Sequence, residues 1–362
     1  MFSFKKAAAP AVLLAALTLT GCFTSSEEKG DALDFSPILA SVADSVIYPT
    51  YSDLAAKAAA LETAVQLLDS QVTPARLNAA RVAWRAARAP WEQSEGFLFG
   101  PVDSKGIDPS IDTWPLDSLT LNSILTGTST LNEAFLALQE ENVRGFHAIE
   151  YLLFGVDSLK DEGDFTPRQK QYLVAAAANF RARTDILKNA WSATGENYLA
   201  EFKTAGMGST AYRSKRAAAQ ELLDGMVGIC DEVASAKISA PFGPPADPTE
   251  EESRFSRNST NDFANNIRSV RNVYLGTYGS AALHKGAHLG HAKGIASWVD
   301  SLNSPLAERV QAEIDSAISK IEQIGDFTAA LSANRPKIEA ARTAVQTLHT
   351  SLDVDVRKAL FR

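Results

Sequence analysis

Apolar residues recur along most of this chain at intervals of three and four, which is the spacing of an amphipathic α-helix. The sequence has no comparable set of alternating β-branched runs bounded by turn residues, as strands would require. Two stretches begin at a Thr-Pro pair, where the threonine caps the helix and the proline fits its first turn. The pattern therefore predicts an all-α protein with no significant β-sheet. Helices are expected over 37–69, 73–95, 131–154, 167–194, 210–237, 258–275, 306–325 and 335–357.

The clearest interruption of this pattern is a segment rich in proline and glycine that starts at residue 240. Four prolines lie within eight residues there, and no helix can accommodate them. Helical stretches lie on both sides of the segment, so we expect two helical-bundle halves packed together. The predicted boundaries are 35–239 for the first half, 240–252 for a crossover loop partly docked on the body, and 253–362 for the helices of the second half.

The first residues have the composition of an export signal. Two lysines precede an apolar run too short to cross about 30 Å of hydrocarbon, and Leu19-Thr20-Gly21-Cys22 is similar to the bacterial lipobox. We therefore expect a lipoprotein signal peptide at 1–21, lipid attachment at Cys22 and a flexible polar tether over 22–34. The alternative is an ordinary secreted protein in which Cys22 is incidental. In either case the body lies outside the cytoplasm.

Charge and cysteine content narrow the classes of function. The chain has 35 basic and 43 acidic residues and a formal net charge of −8. Because a non-specific nucleic-acid binder needs a basic face, no nucleic-acid partner is expected. The other cysteine, Cys230, lies on an apolar helix face and is predicted to be a buried, unreactive thiol.

One candidate site lies within residues 145–155, where His147 and Glu150 interrupt an otherwise apolar helical run. Positions three apart on an α-helix point the same way, so the imidazole and the carboxylate share one face. Such a pair is either a satisfied pair in the core or one half of a metal site. The sequence leaves both interpretations open.

A second candidate region surrounds Pro90, which is expected to kink or restart its helix. Arg88, Glu92 and Glu95 can lie close together on one helix face there. Tryptophans in the core with ion pairs on the surface would give the same pattern. Asp112, in a turn-like element further along, adds another carboxylate.

A set of motifs follows in a fixed order over residues 84–276. It consists of Gly-x-His-x-x-Glu at 145–150, with Trp84, Trp91, Glu95 and Phe99-Gly100-Pro101, Asp112-Thr113-Trp114-Pro115, Glu252-Ser253-Arg254-Phe255-Ser256, Asn266-Ile267 and Val273-Tyr274-Leu275-Gly276. This ordered set resembles the imelysin family, the insulin-cleaving membrane peptidase group that includes iron-regulated proteins and components of periplasmic iron uptake. The resemblance implies two bundle-like halves with the His/Glu motif near their junction, and an exported or outer-membrane location.

The family's peptidase name implies a zinc hydrolase, which needs three protein ligands, an open coordination position and usually a general base. The His/Glu pair supplies two ligands at most, and Tyr151 stands where a His-x-x-Glu-His protease carries its second histidine. The third ligand is expected to be Glu95, with Asp112 or Glu92 as alternatives. This oxygen-rich set suits iron at least as well as zinc, so we expect a transition metal, with iron favoured and zinc possible.

A departure from the family pattern is the cluster of His284, His288 and His291. On a helix, spacings of four and three would place all three imidazoles on one face, where they could form a second metal or haem contact. Several glycines lie nearby and disfavour a stable helix. The alternative is a Gly-rich loop whose charge changes with pH.

The leading functional hypothesis is a lipoprotein on the periplasmic face of a bacterial membrane, with the outer membrane favoured because Phe23 is not the Asp that often retains lipoproteins at the inner membrane. It would bind iron, another transition metal or a metal complex for uptake or handling, together with iron-transport components. One alternative is a metallopeptidase with Glu150 as metal ligand or base. The other is a non-catalytic surface scaffold, in which His147 and Glu150 form only a buried pair.

Overall fold

The structure is a computed structural model that describes residues 34–279 and 293–362. The predicted signal peptide, Cys22, the tether up to residue 33 and the cluster of His284, His288 and His291 lie outside the described residues. Every regular element in the described part of the chain is helical, which confirms the all-α prediction. None of the helices described there combines the length and the apolar character that crossing a bilayer requires.

The α-helices are numbered here in chain order over the described residues. They are α1 (Ser36–Val42), α2 (Tyr48–Ser70), α3 (Pro74–Glu92), α4 (Pro101–Ser104), α5 (Ile107–Asp112), α6 (Ser118–Thr126), α7 (Glu133–Leu136), α8 (Gly145–Phe154), α9 (Pro167–Trp191), α10 (Tyr198–Lys203), α11 (Lys215–Asp231), α12 (Ser239–Phe242), α13 (Ser259–Leu275), α14 (Ile295–Leu302), α15 (Ser304–Glu322), α16 (Phe327–Ala333), α17 (Arg335–Thr350) and α18 (Arg357–Leu360). Short 3₁₀ turns lie at Glu95–Phe97, Glu141–Val143, Glu162–Asp164 and Pro248–Glu250, and π-helical turns at Ala43–Ile47, Glu232–Lys237 and Ser351–Val356.

The single helix predicted over 131–154 is wrong. The structure divides this stretch into α7, the 3₁₀ turn Glu141–Val143 and α8. The backbone of Gly145 has φ +74°, which differs from the right-handed helical value and lets the chain change direction where α8 begins. Apolar spacing across the stretch is helical in both parts, so periodicity alone does not reveal the break.

Helix packing links the two parts of the sequence that the proline-rich segment separates. Helix α2 packs against α3 and α9, while α13 packs against α15, α11 and α3. The contact between α13 and α3 brings charged side chains of both helices into the same interior region. The division into two bundle halves at 240–252 stays a prediction.

The proline-rich segment leaves α12, passes the 3₁₀ turn Pro248–Glu250 and then enters the interior. The guanidinium of Arg335 lies over the Phe242 ring at 4.0 Å and donates a hydrogen bond to the Phe242 carbonyl at 2.8 Å. Glu251 and Glu252 follow the turn, and both are buried. Cys230 on α11 is also buried, as predicted, and burial raises the pKa of its thiol.

Candidate metal centre

Gly145 brings the start of α8 against the end of α5. A Cβ atom on Gly145 would lie 2.3 Å from the carbonyl oxygen of Ile111, far inside contact distance. Only glycine tolerates both this approach and the positive φ at the position. Because Asp112 follows Ile111 and His147 lies two residues after Gly145, the close backbone contact places these two side chains together.

The His147 imidazole is buried and has a different environment at each ring nitrogen. Its Nδ1 atom lies 3.0 Å from Oε2 of Glu150, whose Oε1 accepts hydrogen bonds from the backbone N–H and the hydroxyl of Ser256, both at 2.8 Å. Its Nε2 atom lies 3.3 Å from Oδ1 of Asp112 and 4.0 Å from Oε1 of Glu252. Neither contact has hydrogen-bond geometry, so Nε2 has no hydrogen-bond partner among the described residues.

Two opposing effects set the pKa of His147. Burial disfavours the charged imidazole, but the interactions with Asp112 and Glu150 outweigh it and raise the pKa of His147 to about 9. The ring therefore carries a proton on both nitrogens at neutral pH. A metal ion that binds Nε2 must displace one of these protons.

The guanidinium of Arg88 lies at the centre of a buried carboxylate cluster. Its Nη1 atom contacts Oδ1 of Asp112, and its Nη2 atom lies 2.6 Å from Oε1 of Glu252 and 2.6 Å from Oε1 of Glu92. Its Nε atom lies 3.5 Å from Oδ2 of Asp262 on α13. The ion pairs that the sequence allowed at the surface are therefore fully buried, and Arg88 joins acidic groups from four segments of the chain.

Arg88 and Lys237 keep two of these carboxylates ionised. Burial by itself would raise the pKa of Asp112, but Arg88 and His147 hold it well below its ordinary value. Glu252 is buried as well, yet Lys237, whose Nζ lies 2.9 Å from Oε2, and Arg88 lower its pKa. Glu92 is different, because burial outweighs the nearby cations and raises its pKa well above the ordinary value. The nearby cations thus favour the negatively charged forms of Asp112 and Glu252.

A cleft of about 470 Å³ reaches this cluster. The π-helical turn Glu232–Lys237 contributes to its wall, in agreement with the frequent use of such turns at functional sites. The ring of Trp114, also in the wall, lies 4.8 Å from the His147 ring. Among the described residues that line the cleft, Lys237 is the one cation, and the acidic ones are Glu95, Asp108, Asp112, Glu232, Glu250 and Glu252.

Among residues 34–279 and 293–362, two groups of three side chains could each hold a metal ion, and Asp112 belongs to both. Asp112, His147 and Glu252 form one group, and Glu92, Glu95 and Asp112 form the other, with ligand atoms within 4.8 Å of one another in each. Atoms bonded to one ion at ~2.1 Å lie roughly 3.0 to 4.2 Å apart. The separations of 3.3 and 4.0 Å around Nε2 of His147 therefore fit a common ion.

The structure brings together some of the predicted ligands and separates others. His147 and Asp112 face each other, whereas Glu150 contacts the opposite ring nitrogen and both its oxygens are hydrogen bonded. Glu95 lies in the second group, is 8% exposed, and forms no hydrogen bond or ion pair with the residues that the structure describes. Sequence reasoning did not select Glu252 as a ligand. Its one signal was its place in the motifs that resemble the family.

This protein is thus an all-α protein with a histidine and several carboxylates buried beneath an acidic cleft. The imelysin family model matches residues 47–354, and the chain belongs to the imelysin family. The resemblance inferred from the ordered motifs is thereby confirmed.

Two of the similar proteins are named as iron-regulated. The chain is 37% identical over 235 residues to iron-regulated protein A of Synechococcus elongatus, a match that spans 64% of this chain and 62% of that protein, which is less than two thirds of its length. A crystal structure from Parabacteroides distasonis, described provisionally as an iron-regulated protein A precursor, has 28% identity and a TM-score of 0.79 over 90% of this chain and 95% of that one. An imelysin-like protein from Psychrobacter arcticum has a TM-score of 0.70 at 15% identity, over 91% and 96% of the two chains, and shows the shared fold alone.

Proposed function

We propose that this protein binds a transition-metal ion, with iron as its main cargo, for uptake or handling outside the cytoplasm. The carrying observation is the buried Nε2 atom of His147, which lacks a hydrogen-bond partner among the described residues and lies 3.3 and 4.0 Å from carboxylate oxygens of Asp112 and Glu252. One imidazole with several carboxylates is a donor set that first-row transition metals accept. The names of the relatives favour iron over zinc.

Each residue of the site has a distinct role in this proposal. His147, Asp112 and Glu252 are the ligands of one ion. Glu150 fixes the ring orientation through Nδ1, as outer carboxylates do at many histidine metal sites. Glu95, with Asp112 and the buried Glu92, offers a second position next to the cleft, and the acidic wall raises the local concentration of cations.

The proposed setting is the periplasmic face of a bacterial membrane, where lipid on Cys22 anchors the protein near iron-transport components. The lipobox-like sequence and the polar segment after it support this setting. Fractionation of cells that express the full chain tests it. Cys22→Ala should move the protein from the membrane fraction to the soluble periplasmic fraction, and unchanged membrane association would contradict lipid anchoring at this residue.

The metal proposal is tested by calorimetric titration of the full protein, purified without a metal-affinity column, with ferrous, ferric and zinc ions. Glu252→Gln and His147→Gln should each weaken binding at least tenfold, since each removes a ligand. Glu251→Gln is a matched control, because Glu251 is also buried but bonds to Ser259 and Thr328. Equal binding by the wild type and both ligand variants would eliminate this site.

A hydrolytic function has one supporting observation of its own. A metallopeptidase needs a carboxylate base that faces the substrate, and Glu95 lines the cleft without a partner among the described residues, with its pKa raised by burial. Glu150 does not line the cleft. Incubation with insulin B chain tests the activity, which chelator should abolish and Glu95→Gln should lower at least a hundredfold. Activity that survives both treatments would exclude this mechanism.

A further inference from the structure

Arg88 occupies the same part of the site that a bound metal ion would need. Its side chain is completely buried, and a guanidinium cannot lose its proton in a protein, so one positive charge is fixed inside the cluster. The charge is shared among Glu92, Asp112, Glu252 and Asp262. These acids come from α3, from α5, from the segment before α13 and from α13 itself.

The oxygen atoms that approach His147 are the same atoms that pair with Arg88. Oδ1 of Asp112 lies 3.3 Å from Nε2 of His147 and contacts Nη1 of Arg88. Oε1 of Glu252 lies 4.0 Å from Nε2 and 2.6 Å from Nη2 of Arg88. An ion bound by Nε2 and these two oxygens would therefore compete with the guanidinium for the lone pairs and repel its charge.

Unpaired polar atoms show where the guanidinium can go. Nε of Arg88, Oε1 of Glu92 and Oδ2 of Asp262 are all buried without a hydrogen bond of acceptable geometry among the described residues. Glu92 and Asp262 nevertheless lie only 2.6 and 3.5 Å from guanidinium nitrogens. Buried polar atoms are normally satisfied, so a small rotation of Arg88 toward these two acids would form the missing bonds.

We propose that Arg88 is the resident counter-ion of the metal site, which neutralises Asp112 and Glu252 and withdraws toward Glu92 and Asp262 when a metal ion binds. This inference rests on the proposed metal-binding function. At Asp112 and Glu252, a monovalent ion would only replace the unit of positive charge that Arg88 withdraws. A divalent or trivalent ion brings more positive charge to these two carboxylates than Arg88 supplied, so the exchange favours multivalent cations.

Affinity measurements on Arg88 and Asp262 variants test the exchange. Arg88→Gln should bind zinc or ferrous ion about tenfold more tightly, because the competing charge is gone. Asp262→Asn should bind about tenfold more weakly, because Arg88 loses one of the acids that receive it. In a protein that already carries Arg88→Gln, adding Asp262→Asn should leave the metal affinity unchanged. If Asp262→Asn still weakened binding there, the lost negative charge would act directly on the metal and not through Arg88. Glu251→Gln, at a buried acid outside the cluster, controls for general loosening.

A crystal structure of the wild type with bound zinc gives a second readout that does not depend on any variant folding. Arg88 should contact Glu92 and Asp262 and no longer contact Asp112 or Glu252. A guanidinium that keeps all its contacts beside the bound ion would overturn the exchange. Absence of zinc and iron binding by the wild type would overturn the proposed function itself, so the two failures are distinguishable.

Discussion

Nε2 of His147 lies 3.3 Å from Oδ1 of Asp112, across the contact between α8 and α5. The contact depends on the backbone as much as on the two side chains, because the glycine of the motif lets α8 approach Ile111. The glycine of Gly-x-His-x-x-Glu is therefore a structural requirement of the site. Its role can be separated from that of the donors by substitution.

Gly145→Ala should reduce both stability and metal affinity. The new Cβ would meet the Ile111 carbonyl oxygen at 2.3 Å, and the positive φ adds strain for any residue other than glycine. We expect a loss of about 2 to 4 kcal/mol in the free energy of unfolding, from overpacking and backbone strain together. Urea denaturation measures the stability, and calorimetry measures binding of zinc or ferrous ion.

Gly325→Ala is the matched control for this substitution. Gly325 has φ +77°, close to the value at Gly145, but a Cβ there would meet nothing within 4 Å among the described residues. It should cost only about 1 to 2 kcal/mol of backbone strain and leave metal affinity unchanged. If the two variants behaved alike, the close approach of α8 to α5 would not be what forms the site.

Glu150→Gln should weaken metal binding about 10- to 100-fold although Glu150 is not a ligand in the proposed site. The amide keeps the shape of the side chain but removes the charge that holds the Nδ1 proton of His147. Ser256→Ala removes one of two hydrogen bonds to Oε1 of Glu150 and leaves the backbone N–H bond in place, so its effect should be smaller. Calorimetric titration of both variants would contradict this order if Ser256→Ala were the more damaging.

Most of the helices could be predicted from the sequence because the signals that define them are local. Apolar spacing and a capping threonine define α9, where the Thr166 hydroxyl accepts a hydrogen bond from Gln169 N–H in a capping box. The break between α7 and α8 could not be predicted from the sequence, because the polar residues there fit an exposed helix face equally well. Helix α7 ends at Leu136 and α8 begins at Gly145. The contact of Gly145 with Ile111 fixes where α8 starts, and no local pattern contains that contact.

Only part of the site could be predicted from the sequence, because some of its contacts are not local. His147 and Glu150 are neighbours on one helix, so their spacing predicts that they touch, and they do at 3.0 Å. Glu252 reaches His147 through tertiary packing, and a run of three acids after a proline-rich segment is usually solvated. Arg88 pairs with Glu92 on its own helix, but the sequence gives no sign that acids from three further segments surround the pair.

Stability without added metal should fall as the pH rises from about 6.5 to 9. The folded protein raises the pKa of His147 to about 9 from an ordinary value near 6.5, despite burial, because it faces the carboxylates of Asp112, Glu150 and Glu252. Arg88 opposes the shift. The protonated ring therefore stabilises the fold fully below pH 6.5, and this contribution is lost as the pH passes the folded-state pKa.

The free energy of unfolding should fall by about 3 kcal/mol over this pH range. The pKa of His147 is about 9 in the folded protein against an ordinary value of 6.5, and each pKa unit corresponds to about 1.4 kcal/mol. Urea denaturation with chelator present, repeated between pH 6 and 9, measures it. The comparison with His147→Gln removes the contribution of every other titrating group. An equal pH dependence in the two proteins would mean that His147 is not held in its charged form.

Two of the five tryptophans should report metal binding directly. Trp91 donates a hydrogen bond from Nε1 to Oδ2 of Asp112 at 2.5 Å, and the Trp114 ring lies 4.8 Å from the His147 ring. A paramagnetic ion such as ferrous iron quenches indole fluorescence at contact range, so saturation of the wild type should quench part of the emission. Trp114→Phe and Trp91→Phe should each reduce the quenched fraction.

Trp298→Phe is the control for these two substitutions, because Trp298 packs against Phe35, and its removal should leave the quenched intensity unchanged. If a protein that lacks both Trp91 and Trp114 lost as much emission on metal binding as the wild type, the ion would lie elsewhere.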